Sequence, residues 1–189
     1  MIDAALTQIA GLLNQQLRQR FQVSEDLAVL SNLHEQSGSV VPTVANKLVI
    51  FLAGVERDTM AHRAVPQRGL SIDLRQQEPV FLNLLVMCAA NFSGANYPEA
   101  LKVLSGAIGV FQSIPVIDHH NSPLLDARLE RLILNIENLS SSEMHSLWGL
   151  HSGRYLPSVL YRVRMVTVFG GQITGRDAAV RQPDLRGLS

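Results

Sequence analysis

Residues 147–169 read Leu-Trp-Gly-Leu-His-Ser-Gly-Arg-Tyr-Leu-Pro-Ser-Val-Leu-Tyr-Arg-Val-Arg-Met-Val-Thr-Val-Phe. The stretch joins the end of a short amphipathic helix to a long predicted strand through a turn marked by glycine and proline. From Ser158 onward one face of this strand is apolar and is expected to be buried, with Val159, Tyr161, Val163, Met165 and Phe169 interrupted by Thr167. The other face places Arg162 and Arg164 side by side, so we expect it to meet solvent, acidic neighbours or a partner.

Three motifs carry a family resemblance. Leu-Trp followed by Gly-x-Tyr-x-Pro-Ser-x-x-Tyr-x-Val-Arg at 147–164 resembles the closing segment of the tail-terminator, or cap, proteins of extracellular contractile injection systems of the antifeeding-prophage type. Pro-Val-Phe-Leu-Asn-Leu-Leu-Val-Met, which begins at Pro79, resembles a core strand of that family, and residues 96–115 resemble the helix that follows it. The resemblance covers most of residues 1–169 and is weakest between 22 and 41.

The resemblance implies a structural role. A terminator of this kind closes as a ring, expected to be hexameric, on the distal end of the inner tube and the sheath of a contractile particle and stops their elongation. Its partners would be further copies of itself, the inner tube protein and the sheath protein. None of the matching motifs is catalytic, so the resemblance implies no enzyme and no catalytic, cofactor-binding or metal-binding residues.

Composition excludes several other classes. The 189 residues are enough for one domain with a substantial core, and 47% of them are hydrophobic. Sixteen basic residues balance sixteen acidic ones, which gives no electrostatic footprint for nucleic acid. The apolar runs are far shorter than the roughly 18 residues that cross a bilayer. Met1-Ile2-Asp3 does not begin a signal peptide, so we expect folding and assembly in the bacterial cytoplasm before the particle is released or anchored.

The regular elements follow from periodicity. Ile2, Leu6, Ile9, Leu13 and Leu17 recur at helical spacing and predict an amphipathic helix that ends near Arg20. Residues 27–30 form a candidate first strand. Residues 47–55 and 79–90 are almost continuously apolar, which predicts two adjacent central strands that are covered on both faces.

The connection between those two strands, residues 56–78, is long and polar. Connections of this length in a compact domain are usually functional or mobile. In the resembled family such an arm lies near the axial opening and contacts the tube, which makes its basic residues candidate contacts: Arg57, His62, Arg63 and Arg68. A solvated loop without a partner is the alternative.

A second long helix is predicted to begin at Tyr97-Pro98-Glu99 and to end before Pro115. Gly106 and Gly109 lie inside it, where glycine is about 1 kcal/mol less favourable than alanine. The pair therefore predicts close approach of a neighbouring element.

Residues 128–137 alternate between apolar and polar side chains and predict a strand antiparallel to 158–169. That pairing would bring Glu130 or Glu137 near Arg162 or Arg164. Ser140 and Glu143 match a capping box for a following short helix.

Trp148, Arg154 and Tyr155 admit two interpretations. In the first interpretation, Trp148 fills the core under the last helix and Tyr155 fixes the turn. In the second, part of this group lies at a subunit boundary, where Trp, Tyr and Arg are enriched. The candidate subunit, tube or sheath contacts are therefore these three residues, the four arm residues Arg57, His62, Arg63 and Arg68, and Arg162 and Arg164.

Two other functions stay open. One is a neck or tail-completion protein of a contractile phage. The other is a small metal-dependent or nucleotide-dependent enzyme, suggested by Asp118-His119-His120-Asn121 and by a glycine-rich run at 170–175 that is followed by Arg176 where a phosphate loop has lysine.

We predict an α+β fold, with a mainly antiparallel sheet of four or five strands and amphipathic helices packed on one face, as in phage tail terminators. Residues 1–169 would form this domain. Residues 170–189 would form a tail that is flexible or becomes ordered on assembly.

Overall fold

The computed structural model describes residues 1–35, 37–39, 41–58, 81–151 and 153–167. Its helices and strands, in chain order, are α1 Ile2–Phe21, β1 Ala28–Leu30, β2 Lys47–Arg57, β3 Leu82–Asn91, α2 Tyr97–Ser113, β4 Val116–Asp118, β5 Leu129–Glu137, α3 Ser141–Leu150 and β6 Ser158–Thr167. Most of the predicted arm and the predicted tail lie outside the described residues. Among the helices described, none is both long and apolar enough to cross a membrane.

The strands form one mixed sheet in the order β1-β2-β3-β6-β5-β4. Only the pairing of β1 with β2 is parallel within the described sheet, and every other neighbouring pair is antiparallel. The α+β class is therefore confirmed, as is the adjacency of β2 and β3 and of β5 and β6. Six strands are present rather than four or five, because β4 has three residues and is too short to show an alternating pattern.

The first face of the sheet packs against α1 and α2. Buried leucines and an isoleucine of α1, among them Ile9, Leu13 and Leu17, join a core with Leu84 and Val163 of the two central strands. The two long helices thus lie on the same face, as predicted, and their apolar stripes are buried by the same strands.

The second face is covered by α3 and by the segment around Leu33 and Val44. Trp148 of α3 packs there with Met87 of β3 and Leu160 of β6. The placement of all helices on one face is therefore corrected, because β3 and β6 present apolar residues on both faces and one layer of helices would leave the second set in water.

Helix α3 begins at the predicted capping box. Ser140 Oγ accepts a hydrogen bond from the backbone amide of Glu143, and the Glu143 carboxylate accepts one from the Ser140 amide at 2.8 Å. These two bonds satisfy backbone donors that a helix start otherwise leaves unpaired.

Strand β3 lies in the middle of both cores. Leu84, Val86 and Cys88 contribute to the first face, and Met87 and Ala89 contribute to the second. Burial raises the pKa of the Cys88 thiol to about 12. Cys88 is therefore unreactive in the folded protein, because a neutral thiol without solvent access is a poor nucleophile.

Gly106 allows α1 and α2 to approach closely. A Cβ atom at this position would lie 3.0 Å from the Phe21 ring and 3.2 Å from a methyl group of Leu17, and one at Gly109 would lie 3.1 Å from the Arg20 guanidinium. The predicted close approach at the two glycines is confirmed.

We expect Gly106→Ala to lower the free energy of unfolding by about 1 kcal/mol. Overpacking costs about 1–3 kcal/mol, and the gain of about 1 kcal/mol in helix propensity offsets it only partly. The matched control is Gly11→Ala, on an exposed position of α1 with no heavy atom within 4 Å of the added Cβ, which should stabilise the protein. Urea denaturation measures both, and equal stabilisation by the two variants would contradict close packing at Gly106.

Candidate functional site

The second face of the sheet divides into an apolar half and a charged half. Along β6, Leu160 lies in the apolar half opposite Met87, whereas Arg162 and Arg164 lie opposite Leu85 and Asn83 of β3. We define the charged half by its five ionised side chains, which are Glu56, Asp58, Glu137, Arg162 and Arg164. Neither α3 nor the loops around Leu33 cover this half with the apolar contacts that they make at Leu160.

Arg162, on β6, connects strands that lie on both sides of β6. Its Nε donates to Glu137 of β5 at 2.7 Å, and its Nη1 donates to Glu56 of β2, which lies beyond β3. Hydrogen bonding to Glu137, together with that to Glu56, raises the pKa of Arg162, and the same contact with Arg162 lowers the pKa of Glu137. One guanidinium therefore ties the four central strands together in the charged half.

Arg164 forms the second ion pair of the charged half. Its Nε lies 2.5 Å from Oδ2 of Asp58, whose side chain is 5% exposed. Asp58 directly follows β2, and its backbone amide donates to the carbonyl of Phe81 at 2.8 Å, which closes the β2–β3 ladder. The pair thus holds the place where the chain leaves β2 and enters β3. Removing Arg164 would take one cationic partner from a buried carboxylate, which is costly.

An aromatic cluster lies over the apolar half. Trp148 is 3% exposed and contacts Tyr155 edge-on at a ring distance of 5.7 Å. His151 packs edge-on against Phe51 of β2 at 4.9 Å. Burial, and then the nearby His34, lowers the pKa of His151, which favours the neutral ring. Tyr155 is 62% exposed, so the cluster presents an aromatic surface to solvent.

Five of the predicted contact residues lie on the second face, in two groups. Arg162 and Arg164 belong to the charged half, and Trp148, Arg154 and Tyr155 form or flank the aromatic cluster. Arg57 ends β2 next to Glu56, and by strand alternation it points to the first face. The other three, His62, Arg63 and Arg68, lie outside the described residues.

Sequence patterns identified part of the charged half. The predicted proximity of Glu137 and Arg162 is confirmed, whereas Glu130 instead lies beside Arg131 at 3.4 Å. Glu56 and Asp58 were missed because β2 is two strands away from β6, and no local spacing reports that sheet order. The contribution of His151 was also missed, because its neighbour Phe51 is a hundred residues away in the chain.

The described residues offer no cluster of three or more His, Cys, Asp or Glu side chains that could hold a metal ion. In the Asp118 to Asn121 turn, the Asp118 carboxylate accepts from the backbone amides of His120 and Asn121 at 2.9 and 3.2 Å. The Nε2 atom of His119 is engaged with the carbonyl of Leu129 at 2.8 Å. Two of the groups proposed for metal binding, the Asp118 carboxylate and the His119 ring, therefore serve the local structure of the turn. The glycine-rich run at 170–175 lies outside the described residues.

Fold and site together define an α+β domain with a mixed sheet, one face of which carries ion pairs between strands. Comparison with known proteins then gives the family. Residues 4–182 match the family described as the Pvc16 N-terminal domain. The chain belongs to this family. No curated protein matches the sequence.

Two solved structures share the fold. The sheath/tube terminator, in the extended state, of the extracellular contractile injection system PVC has a TM-score of 0.57 and 16% identity, and the match covers 100% of this chain and 64% of that one. The anti-feeding prophage cap, a tube terminating cap, has a TM-score of 0.52 and 13% identity over 95% of this chain and 58% of that one. The chain thus spans about six tenths of the length of either protein. The resemblance to tail terminators of contractile injection systems is confirmed.

We expect Glu137→Gln to change how stability depends on pH. The pKa of Glu137 is lowered in the folded state from its ordinary value of 4.5. Its ion pair therefore stabilises the protein at pH values above 4.5, and that stabilisation is lost as the pH falls through the folded-state pKa. At pH 7 the free energy of unfolding of the wild type should exceed that of the variant by no more than about 1 kcal/mol, because the side chains of Glu137 and Arg162 are both about one third exposed.

Chemical denaturation between pH 3 and pH 7 measures this difference, which should shrink toward pH 3. The control is Glu130→Gln, which alters an exposed pair on the same strand and should leave the curve unchanged. A difference between wild type and Glu137→Gln that is constant over this range would contradict the role of the ion pair.

Proposed function

We propose that this chain is the terminator of a contractile injection particle, which closes as a ring on the end of the inner tube and sheath and stops their growth. The observation that carries the proposal is the family match over residues 4–182, together with a fold like that of a sheath/tube terminator and a tube terminating cap. The mechanism is geometric, because an occupied end offers no site for the next tube or sheath subunit.

Closure of the ring requires head-to-tail contacts. A heterologous contact uses two different patches on each copy, and it produces a closed ring when the rotation between copies divides the circle. Six copies would match a sixfold tube and sheath. Assembly would take place in the bacterial cytoplasm from subunits that perform no catalysis.

The outer edge of β2 is the proposed attachment point for the sheath protein. Strand β1 pairs only with Leu48, Val49 and Ile50. Within the described residues, the stretch from Leu52 to Glu56 has a strand partner on the β3 side alone. An open edge of this kind can accept an incoming strand through its backbone hydrogen bonds.

Exposed apolar side chains lie along the same edge. The register shift between Leu52 and Gly54 inserts Ala53 as a bulge, so Leu52 and Val55 both align with first-face residues of β3, namely Val86 and Leu84. Leu52 is 36% exposed and Val55 is 46% exposed. An added strand would cover them, which favours a partner at this edge.

The remaining candidate contacts are assigned by exposure. Tyr155 and Arg154 are exposed beside the buried Trp148, and an aromatic residue next to an arginine is a common composition for an interface centre. Arg162 and Arg164 are already paired with carboxylates, so they would contribute a neutralised polar rim. Arg57 and the arm residues His62, Arg63 and Arg68 are proposed to contact the tube.

Deletion of the gene should give particles of uncontrolled length. Without an occupied end, tube and sheath subunits continue to add, so the length distribution in negative-stain images should broaden and its mean should rise. Expression of the intact chain from a plasmid should restore the wild-type distribution. Particles of normal length in the deletion strain would contradict the proposed function.

Val55→Lys should weaken attachment of the sheath, because a charged side chain at the open edge opposes strand addition. The matched control is Ile136→Lys on β5, where an apolar residue with 51% exposure lies on another strand of the sheet. Co-sedimentation of each variant with sheath assembled in the deletion strain measures attachment. Equal binding by the two variants, with unchanged melting temperatures, would contradict the assignment of the β2 edge.

A further inference from the structure

Helix α1 is a rod whose two ends present different surfaces. Its 20 residues span about 30 Å. Near its beginning, the Gln8 side chain donates to the hydroxyl of Ser122, which belongs to the loop between β4 and β5. At its other end, Phe21 packs against Gly106 of α2. The β4–β5 loop and the Phe21 region therefore lie toward opposite ends of the helical layer.

A groove of about 360 Å³ opens at the Phe21 end, between α1 and α2. Phe21 and Leu101 supply apolar walls, and Gly106, against which the Phe21 ring packs, lies beside them. Leu101 is 42% exposed. The rim is basic: Arg20 has no ion-pair partner among the described residues, and Lys102 is paired with the exposed Glu99.

The β4–β5 loop presents an apolar side chain at the other end. Leu124 is 90% exposed, whereas its neighbour Leu125 is 4% exposed and anchors the loop in the core. The loop is held in one shape, since the Asn121 side chain donates to the Val116 carbonyl at 2.7 Å and the Ser122 amide donates to the Asp118 carbonyl at 2.8 Å. An exposed leucine on a preorganised loop loses little conformational entropy when a partner covers it.

One carboxylate near Leu124 is outside any described ion pair, whereas at the groove one cation is outside any described ion pair. Asp118 and Asp126 lie on either side of it in the chain, and Asp3 is exposed at the same end of α1. Arg128 pairs with Asp126, and the amino terminus pairs with Asp3, so Asp118, which lies beside His119 and His120, is the carboxylate of this group without an ion pair among the described side chains. The exposed leucine and the apolar groove are thus flanked by unpaired charges of opposite sign.

We infer that Leu124 of one copy inserts between Phe21 and Leu101 of the next copy in the ring. This inference rests on the proposed function and names the contact that closes the ring. A second copy is the occupant that fits, because the protruding and receiving surfaces belong to the same chain and lie at opposite ends of α1. That arrangement is what a head-to-tail contact requires, and it cannot be satisfied within one molecule.

The test is an engineered disulfide between copies. The full-length variant with both Leu124→Cys and Leu101→Cys is expressed in the deletion strain, and purified particles are oxidised and run on a non-reducing gel. A disulfide requires Cα atoms within about 7 Å, so a ladder of covalent oligomers reports direct proximity. Wild-type Cys88 stays in place, because it is buried.

The control variant combines Leu101→Cys with Leu150→Cys, which is 87% exposed on α3. We expect a ladder that extends beyond dimers for the Leu124 pair, and none for the control pair or for either single cysteine. A ladder of equal intensity in the control, or no ladder from the Leu124 pair, overturns the inferred contact.

Particle length separates this inference from the proposed function. If the double-cysteine variant restores normal length but gives no ladder, the terminator function stands and the inferred contact is wrong. A second variant, Leu124→Asp, should reduce the ring fraction in mass photometry at least tenfold without lowering the melting temperature, because the leucine is exposed in the single subunit. An unchanged ring fraction overturns the contact independently of the disulfide result.

Discussion

The double-sided burial of β3 is the constraint on which the rest of the fold depends. Its small and apolar residues face α1 and α2 on one side and α3 on the other. Both helical layers must therefore be packed before both faces of β3 are buried from solvent. Pairing with β2 and β6 fixes its register, and that register sets where the apolar half of the second face ends and the charged half begins. The layered core thus determines the positions of the apolar half and the charged half of the second face.

Arg162 completes that arrangement at the end of the sheet that none of the described helices covers. A strand end in water tends to fray, and a cation that reaches one carboxylate on β5 and another on β2 opposes separation of the central strands. Because the partners are partly exposed, such pairs contribute modestly to stability and more strongly to register. The proposed terminator function would need fixed strand positions, since neighbouring subunits must recognise the same surface on every copy.

Local periodicity predicted much of this fold and little of its surfaces. The 3.6-residue spacing of Ile9, Leu13 and Leu17 and the alternation after Ser158 are properties of neighbouring residues, and both elements lie where they were predicted. The separation of α3 from the other helices was not predictable from its own sequence, because it depends on which residues of β3 and β6 remain uncovered. Similarly, Glu56 meets Arg162 only through the strand order, and the groove beside Phe21 exists only because two distant helices cross at Gly106.

The location of Cys88 has a practical meaning. It is the chain's sole thiol, it lies at the centre of the sheet, and its high pKa keeps it protonated in the folded state. A thiol-reactive dye can therefore reach it only when the middle strands come apart. The rate at which Cys88 is labelled in the natural sequence therefore measures how often the central strands open. If the chain is incorporated into a particle as proposed, a lower labelling rate there would measure how strongly neighbouring subunits oppose that opening.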